Sequence, residues 1–147
     1  MPVLALDQVS KSYRAGQLSV DRVTFGADAG ELVVILGESG SGKTTTLKMI
    51  NRLIEPSGGT ITVGGRDSAD LDPVALRRSI GYVFQGVGLF PHMTVAENVG
   101  VTPSLLGWNP ARTAARVDQM LDLVRLAPAT YRDRAPIELS GGQQQRV

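Results

Sequence analysis

The segment ELVVILGESGSGKTTTLKMI, residues 31–50, constrains this chain more than any other. It joins a continuous apolar run, Glu31–Leu36, to a glycine-rich turn and then to a helical pattern. Gly37, four further residues and Gly42-Lys43-Thr44 fit the spacing G-x-x-x-x-G-K-[ST]. A loop with this spacing can wrap its amides around phosphate oxygens, because Gly37, Gly40 and Gly42 remove the Cβ atoms that would block the approach. The helix that follows offers its first amides and its positive dipole end to the same anion. Lys43 can reach the β- and γ-phosphates and stabilise their charge, and the Thr44 hydroxyl can ligate Mg²⁺. With Glu38, Ser39, Ser41 and Thr45 these residues form the expected nucleotide-binding loop. The apolar run before it predicts a strand buried on both faces. A loop of this kind by itself leaves kinase, GTPase, helicase and transporter ATPase open.

The rest of the chain narrows the class. Its 147 residues are enough for one ordinary domain, and a hydrophobic content of 42% fits a globular chain. The net charge of +1 gives no bulk electrostatic case for nucleic acid or a membrane surface. No cysteine is present, so disulfides and thiolate metal sites are excluded. The start MPVLALDQVSKSY has no basic segment followed by a long apolar one, and no apolar run is long enough to span a bilayer.

Strands and turns dominate the first part. Val3–Val9 and Val20–Phe25 alternate loosely around a turn at RAGQ, and TITV before two glycines reads as a short strand. After the phosphate loop, Leu47, Ile50 and Ile54 fall on one helical face, with Leu53 beside them. Pro56 biases Glu55 away from helix. Asp72 and Pro73 predict a capped helix over DPVALRRS, and IGYVFQ, ending at Gln85, reads as another buried strand. A further helix starts near Thr94. Asn109 and Pro110 open a long amphipathic one with an apolar stripe of Ala114, Val117, Leu121 and Val124. Helices thus dominate the second half.

Three further motifs carry a resemblance. LSGGQQQRV, Leu139–Val147, resembles the signature motif of ATP-binding cassette (ABC) ATPases. YVFQ resembles their Q-loop, and VSKSY resembles the segment whose aromatic residue stacks on adenine, here Tyr13. The motifs come in the family's order and span nearly the whole chain. Read without the family, Tyr13 is a strand tyrosine at a sheet edge, Gln85 a loop glutamine, and Ser140 with Gly141 and Gly142 a helix cap. The resemblance implies adenine stacking at Tyr13 and a metal or water contact at Gln85, so Thr44 and Gln85 are the expected Mg²⁺ contacts. It also implies a head-to-tail dimer in which Ser140, Gly141, Gly142 and Gln143 meet the ATP of a second ATPase subunit. KMINRLIEP and GLFPHMTV followed by LLGW look most like the ATPases of bacterial osmoprotectant importers, for glycine betaine, carnitine, choline or proline.

The resemblance implies an α/β fold: a P-loop NTPase (RecA-like) core with a β-rich N-terminal edge, residues 1–85, and a partial α-helical subdomain, residues 86–147, through the signature. It implies a cytoplasmic subunit docked on transmembrane permease subunits, served indirectly by a substrate-binding protein, with no nucleic acid partner. Phe90, Pro91 and Met93 are candidate contacts for a permease helix, although Phe90 also reads as core and Met93 as gap filler. His92 reads as a loop residue, Trp108 as a packing anchor and Arg77-Arg78 as a solvated helix face. The family's catalytic carboxylates and its switch histidine lie on segments after the signature helix, and Glu38, Glu97 and Glu138 do not match their positions. The chain alone is therefore expected to be truncated, inactive as an ATPase and prone to aggregate, while its parent is an ABC-type ATPase. Two alternatives are an ABC ATPase not tied to a transporter and a nucleotide-binding fragment without hydrolysis.

Overall fold

The computed structural model describes residues 2–14 and 16–147. Ala15, in the expected RAGQ turn, lies outside the described residues. The chain divides into two compact units, Met1–Gly81 and Tyr82–Val147.

The first unit is built on one antiparallel sheet. Strands β1 (Leu4–Arg14), β2 (Gln17–Ala27), β3 (Gly58–Val63) and β4 (Arg66–Asp67) lie in the order β2-β1-β3-β4. β1 and β2 run longer than their apolar alternation, because bulges let polar stretches continue the ladder. The pairing shifts between Leu6 and Val9, where Gln8 takes a left-handed φ of 49°. Hydroxyls then replace ladder carbonyls: Gln8 N donates to Thr24 Oγ1 at 2.9 Å and Arg22 N to Ser10 Oγ at 2.9 Å. Leu6, Val9 and Ile61 project from the sheet onto Val20 and Met49 to form the core of this unit.

Helix α1 spans Lys43–Ile50 and is shorter than its apolar pattern suggests. Thr46 and Met49 are its buried residues; Ile50 and Ile54 pack beside the core, whereas Leu47 and Leu53 stay exposed. The helix stops because Arg52, at φ 52°, turns the chain and sends its guanidinium to Ser68 O (2.9 Å) and Leu71 O (2.8 Å). Helix α2, Pro73–Ser79, has the expected cap, with Ala75 N donating to Asp72 Oδ1 at 2.7 Å. Arg77 and Arg78 are exposed, and Arg77 also donates to Asn51 O at 3.3 Å and Arg52 O at 2.9 Å, tying α2 to the end of α1.

Two expected strands are absent. Neither Glu31–Leu36 nor Ile80–Gln85 joins a ladder among the described residues. Leu36 is 85% exposed and Val83 89% exposed, against the expectation of burial on both faces. The physical reason is pairing: an apolar run is buried as a strand only where neighbours bond its edges and layers cover its faces.

The second unit is helical. α3 (Val95–Leu105) and α4 (Pro110–Leu123) pack together, followed by the short α5 (Pro128–Tyr131) and α6 (Gly141–Gln144). Val95, Val117, Leu121, Leu126 and Leu139 form its core. Gly100 is buried where α3 meets α4, and a Cβ there would come into ordinary contact with Thr113 Cγ2 at 3.4 Å. Thr94 and Glu97 form a reciprocal capping box, and Asn109 caps α4 through Arg112 N at 2.8 Å. No described helix is long and apolar enough to cross a membrane.

Candidate nucleotide site

The glycine-rich loop forms a small polar cradle in the first unit. Its cavity of about 190 Å³ is lined by Ser19 and by Gly40 through Thr45. Gly42 carries φ 91° and leads directly into α1, whose first turn has no side-chain cap. The first amides of α1 are thereby left for a ligand. A Cβ on Gly42 would lie 2.5 Å from Ser19 O and 2.9 Å from Val20 Cγ2. The missing side chain is what lets the loop rest on β2. A Cβ on Gly37 would lie 2.6 Å from Ser41 Oγ, a hydroxyl that can rotate away, so the constraint there is weaker than at Gly42.

Lys43 closes over this loop. Its ammonium donates to Gly37 O at 2.8 Å, Glu38 O at 2.6 Å and Ser41 Oγ at 3.2 Å. A positive charge is thus held at the rim by groups that carry no full charge, and it stays available to an anion. Thr44 and Thr45 also line the cavity, while Thr46 Oγ1 is spent on Gly42 O at 3.0 Å. No carboxylate lines this cavity, and no cluster of three metal-ligating side chains occurs among the described residues. A hydroxyl beside a phosphate cradle fits Mg²⁺, which takes most of its ligands from phosphates and water. Ser19 is absent from the motif. Its place depends on how β2 meets Gly42, and no spacing in the sequence reports that contact.

Tyr13 is 58% exposed, with Lys11 Nζ 5.3 Å from its ring centre. Lys11 itself donates to Glu55 O at 2.7 Å. A ring face remains open to solvent, as stacking requires.

The second unit holds the other motif residues. Gln85 is exposed and is followed by Gly86 at φ 107°. The next loop is clamped by Asn98, which accepts from Phe90 N at 2.7 Å and donates to Phe90 O, Met93 O and Thr94 O. Phe90 is 46% exposed and meets His92 edge-on at 6.0 Å. Between α3 and α4 lies an open cavity of about 670 Å³, lined by Met93, Ala96, Gly100, Trp108 and Val117 among others. Thr113 Oγ1, in its wall, is buried without a partner among the described residues. Trp108 packs under the Arg112 guanidinium, 3.6 Å from the ring centre. The Glu97 carboxyl is held below its ordinary pKa by the Thr94 backbone N–H and then by the Thr94 hydroxyl.

The signature segment folds as a capped turn. Ser140 N donates to Gln143 Oε1 at 2.9 Å, and Gln143 N to Ser140 Oγ at 3.4 Å. Gly141 and Gly142 form the exposed first turn of α6. Gln144 Nε2 donates to Pro136 O at 2.8 Å, and Arg146 Nη1 to Val124 O at 3.0 Å, fixing α6 to the core of its unit.

Comparison with known proteins agrees with these elements. Residues 20–147 match the family model described as ABC transporter. The choline transport ATP-binding protein OpuBA of Bacillus subtilis is 51% identical over 145 residues, 99% of this chain and 38% of that protein. The osmoprotectant import ATP-binding protein OsmV of Salmonella typhimurium is 48% identical over 149 residues, 99% of this chain and 39% of that protein. The chain thus spans under two fifths of the length of these relatives. Among solved structures, a dimeric ATP-binding cassette in a post-hydrolysis state bound to ADP and Pi superposes with a TM-score of 0.85 at 32% identity, covering 97% of this chain and 66% of that one. An ABC transporter ATP-binding subunit superposes with a TM-score of 0.84 at 30% identity, covering 98% of this chain and 58% of that one. The mixed helix and strand structure superposes on ABC ATPase cassettes and is consistent with a truncated α/β P-loop domain whose described sheet is antiparallel, and this chain belongs to the ABC transporter family of ATP-binding proteins.

Proposed function

We propose that this chain is the ATP-binding, energy-coupling part of a bacterial importer for quaternary-amine osmoprotectants. The observation that carries the reading is the phosphate cradle, within a chain about half identical along 99% of its length to choline, carnitine and osmoprotectant transport proteins. Lys43 would move its ammonium from loop carbonyls onto the β- and γ-phosphates, where it neutralises the charge that grows during phosphoryl transfer. The α1 amides and those of Glu38 to Gly42 would hold the phosphates, and Ser39, Ser41 and Thr45 would donate hydroxyls. Tyr13 would stack on adenine. Thr44 and Gln85 would hold the Mg²⁺, which supplies charge neutralisation between the phosphates. Ser140, Gly141, Gly142 and Gln143 would face the ATP of a second subunit, so that binding favours the closed pair and hydrolysis releases it.

The carboxylates that orient water belong, on this reading, to the remainder of the complete protein. So do strands that cover Leu32, Val34, Leu36 and Val83, all exposed in the present structure. The isolated 147-residue chain would bind nucleotide without steady turnover. Phe90, Pro91 and the α3–α4 cavity would receive a permease helix at the cytoplasmic face of the membrane, and a substrate-binding protein would act through that permease.

The test uses the complete ATPase reconstituted with its permease and binding protein. Glycine betaine, carnitine or choline should raise ATP turnover, and Lys43→Ala should abolish it. Turnover indifferent to every quaternary amine would remove the substrate class. A complete ATPase that never co-purifies with a permease would favour a role outside transport.

A further inference from the structure

The signature turn is fastened to the rest of its unit through the side chain of Gln143. While Gln143 Oε1 accepts from Ser140 N at 2.9 Å, Gln143 Nε2 donates to Tyr131 Oη at 3.1 Å. Tyr131 closes α5 and carries the Arg134 guanidinium 5.0 Å from its ring centre. The backbone just after it is fixed independently: Val95 N donates to Arg134 O at 2.9 Å and Ala96 N to Arg132 O at 2.8 Å. Arg132 is in turn paired with Asp118 of α4 at 3.0 Å. The start of α3, the end of α5 and the signature turn therefore form one hydrogen-bonded chain within this unit.

We propose that Tyr131 is a positioning residue for the signature turn and acts through Gln143, whose amide serves the turn from within. A carboxamide can sit in two orientations related by exchanging oxygen and nitrogen. Only one presents an acceptor to the Ser140 N–H. The Ser140 N–H, a donor only, selects that orientation, and the Tyr131 hydroxyl, accepting from Nε2, holds the amide in it. Ser140 Oγ then accepts from Gln143 N and keeps its own proton for an acceptor outside the turn. Because Tyr131 is anchored through Arg132 and Arg134 to the first turn of α3, a shift of the loop before α3 reaches Ser140 along the same contacts. This inference rests on the proposed role of Ser140 at a second subunit's ATP.

The complete ATPase with its permease provides the test. Tyr131→Phe removes one oxygen and leaves the ring packing in place. ATP affinity at the phosphate loop should stay within about twofold, while saturated turnover falls roughly three- to tenfold, the worth of one hydrogen bond. Gln143→Ala should lower turnover at least as much, and the double variant should match Gln143→Ala alone, as expected of residues acting as one unit. Melting temperatures of all three variants should stay close to the parent. Unchanged turnover in Tyr131→Phe, additive losses in the double variant, or losses that follow melting temperature or ATP affinity would each overturn the proposal. Lys43→Ala separates the two readings. If it abolishes turnover while Tyr131→Phe is neutral, only the positioning role fails; if it too is neutral, the ATPase reading fails.

Discussion

Ile61 and Leu36 both lie in apolar runs with the sequence pattern of strands, and they meet opposite fates. Ile61, in β3, is 1% exposed and pairs with Leu6 across the sheet. Leu36, just before the phosphate loop, is 85% exposed and pairs with nothing described. The difference lies in neighbours rather than in propensity. β3 has β1 and β4 beside it and Met49 in the core below. The run Glu31–Leu36 has an apolar composition but no ladder. Yet the loop it feeds is already formed, because that loop leans on β2 and α1 instead.

Several substitutions break or sharpen this contrast. Gly42→Val is expected to be the most damaging, since its side chain would meet Ser19 O and Val20 at a φ of 91°. A loss of about 3 kcal/mol or more is expected in urea denaturation. An unchanged midpoint would mean that the loop does not depend on β2. Ile61→Ala should cost about 2–5 kcal/mol through the cavity it leaves in the sheet core; a loss under about 1 kcal/mol would contradict the burial of this strand. Asp72→Ala should cost about 1 kcal/mol by freeing the Ala75 amide at the start of α2, measured by the same unfolding curves. Leu36→Ser should shift stability by no more than about 0.5 kcal/mol in the 147-residue chain, as exposed sites do. The same change in the complete protein should cost several times more if strands cover the segment there, and equal costs in both would deny that covering.

The smallest effect concerns pH. Folding depresses the Glu97 carboxyl, so its contribution is present above the ordinary carboxylate pKa and is lost as pH falls through the depressed value. Amide protection in the first turn of α3, taken relative to the intrinsic exchange rate at each pH, should therefore fall on acidification, and Glu97→Gln should flatten that dependence. A wild-type profile indistinguishable from Glu97→Gln would rule out the capping box as its cause.

Local signals were legible in the sequence. Asp72, Thr94, Asn109 and Ser140 each cap the helix that their position predicts, because a cap is a contact between residues three apart. The lysine and glycines of the phosphate loop were legible for the same reason. Contacts made by tertiary approach were not. Ser19 reaches the cradle only because β2 meets Gly42, and Tyr131 reaches Gln143 across a 3₁₀ turn at Pro136–Glu138. The two absent strands show the converse limit. Composition marks a segment as fit for burial, but only pairing partners bury it.

The most direct test is a titration of the 147-residue chain with a fluorescent ATP analogue and Mg²⁺, run beside Lys43→Ala. Saturable binding in the parent, weakened roughly ten- to a hundredfold in the variant, is expected from the loss of one charged hydrogen-bond donor to phosphate. Equal affinities in the two proteins would contradict the assignment of this loop as the nucleotide cradle.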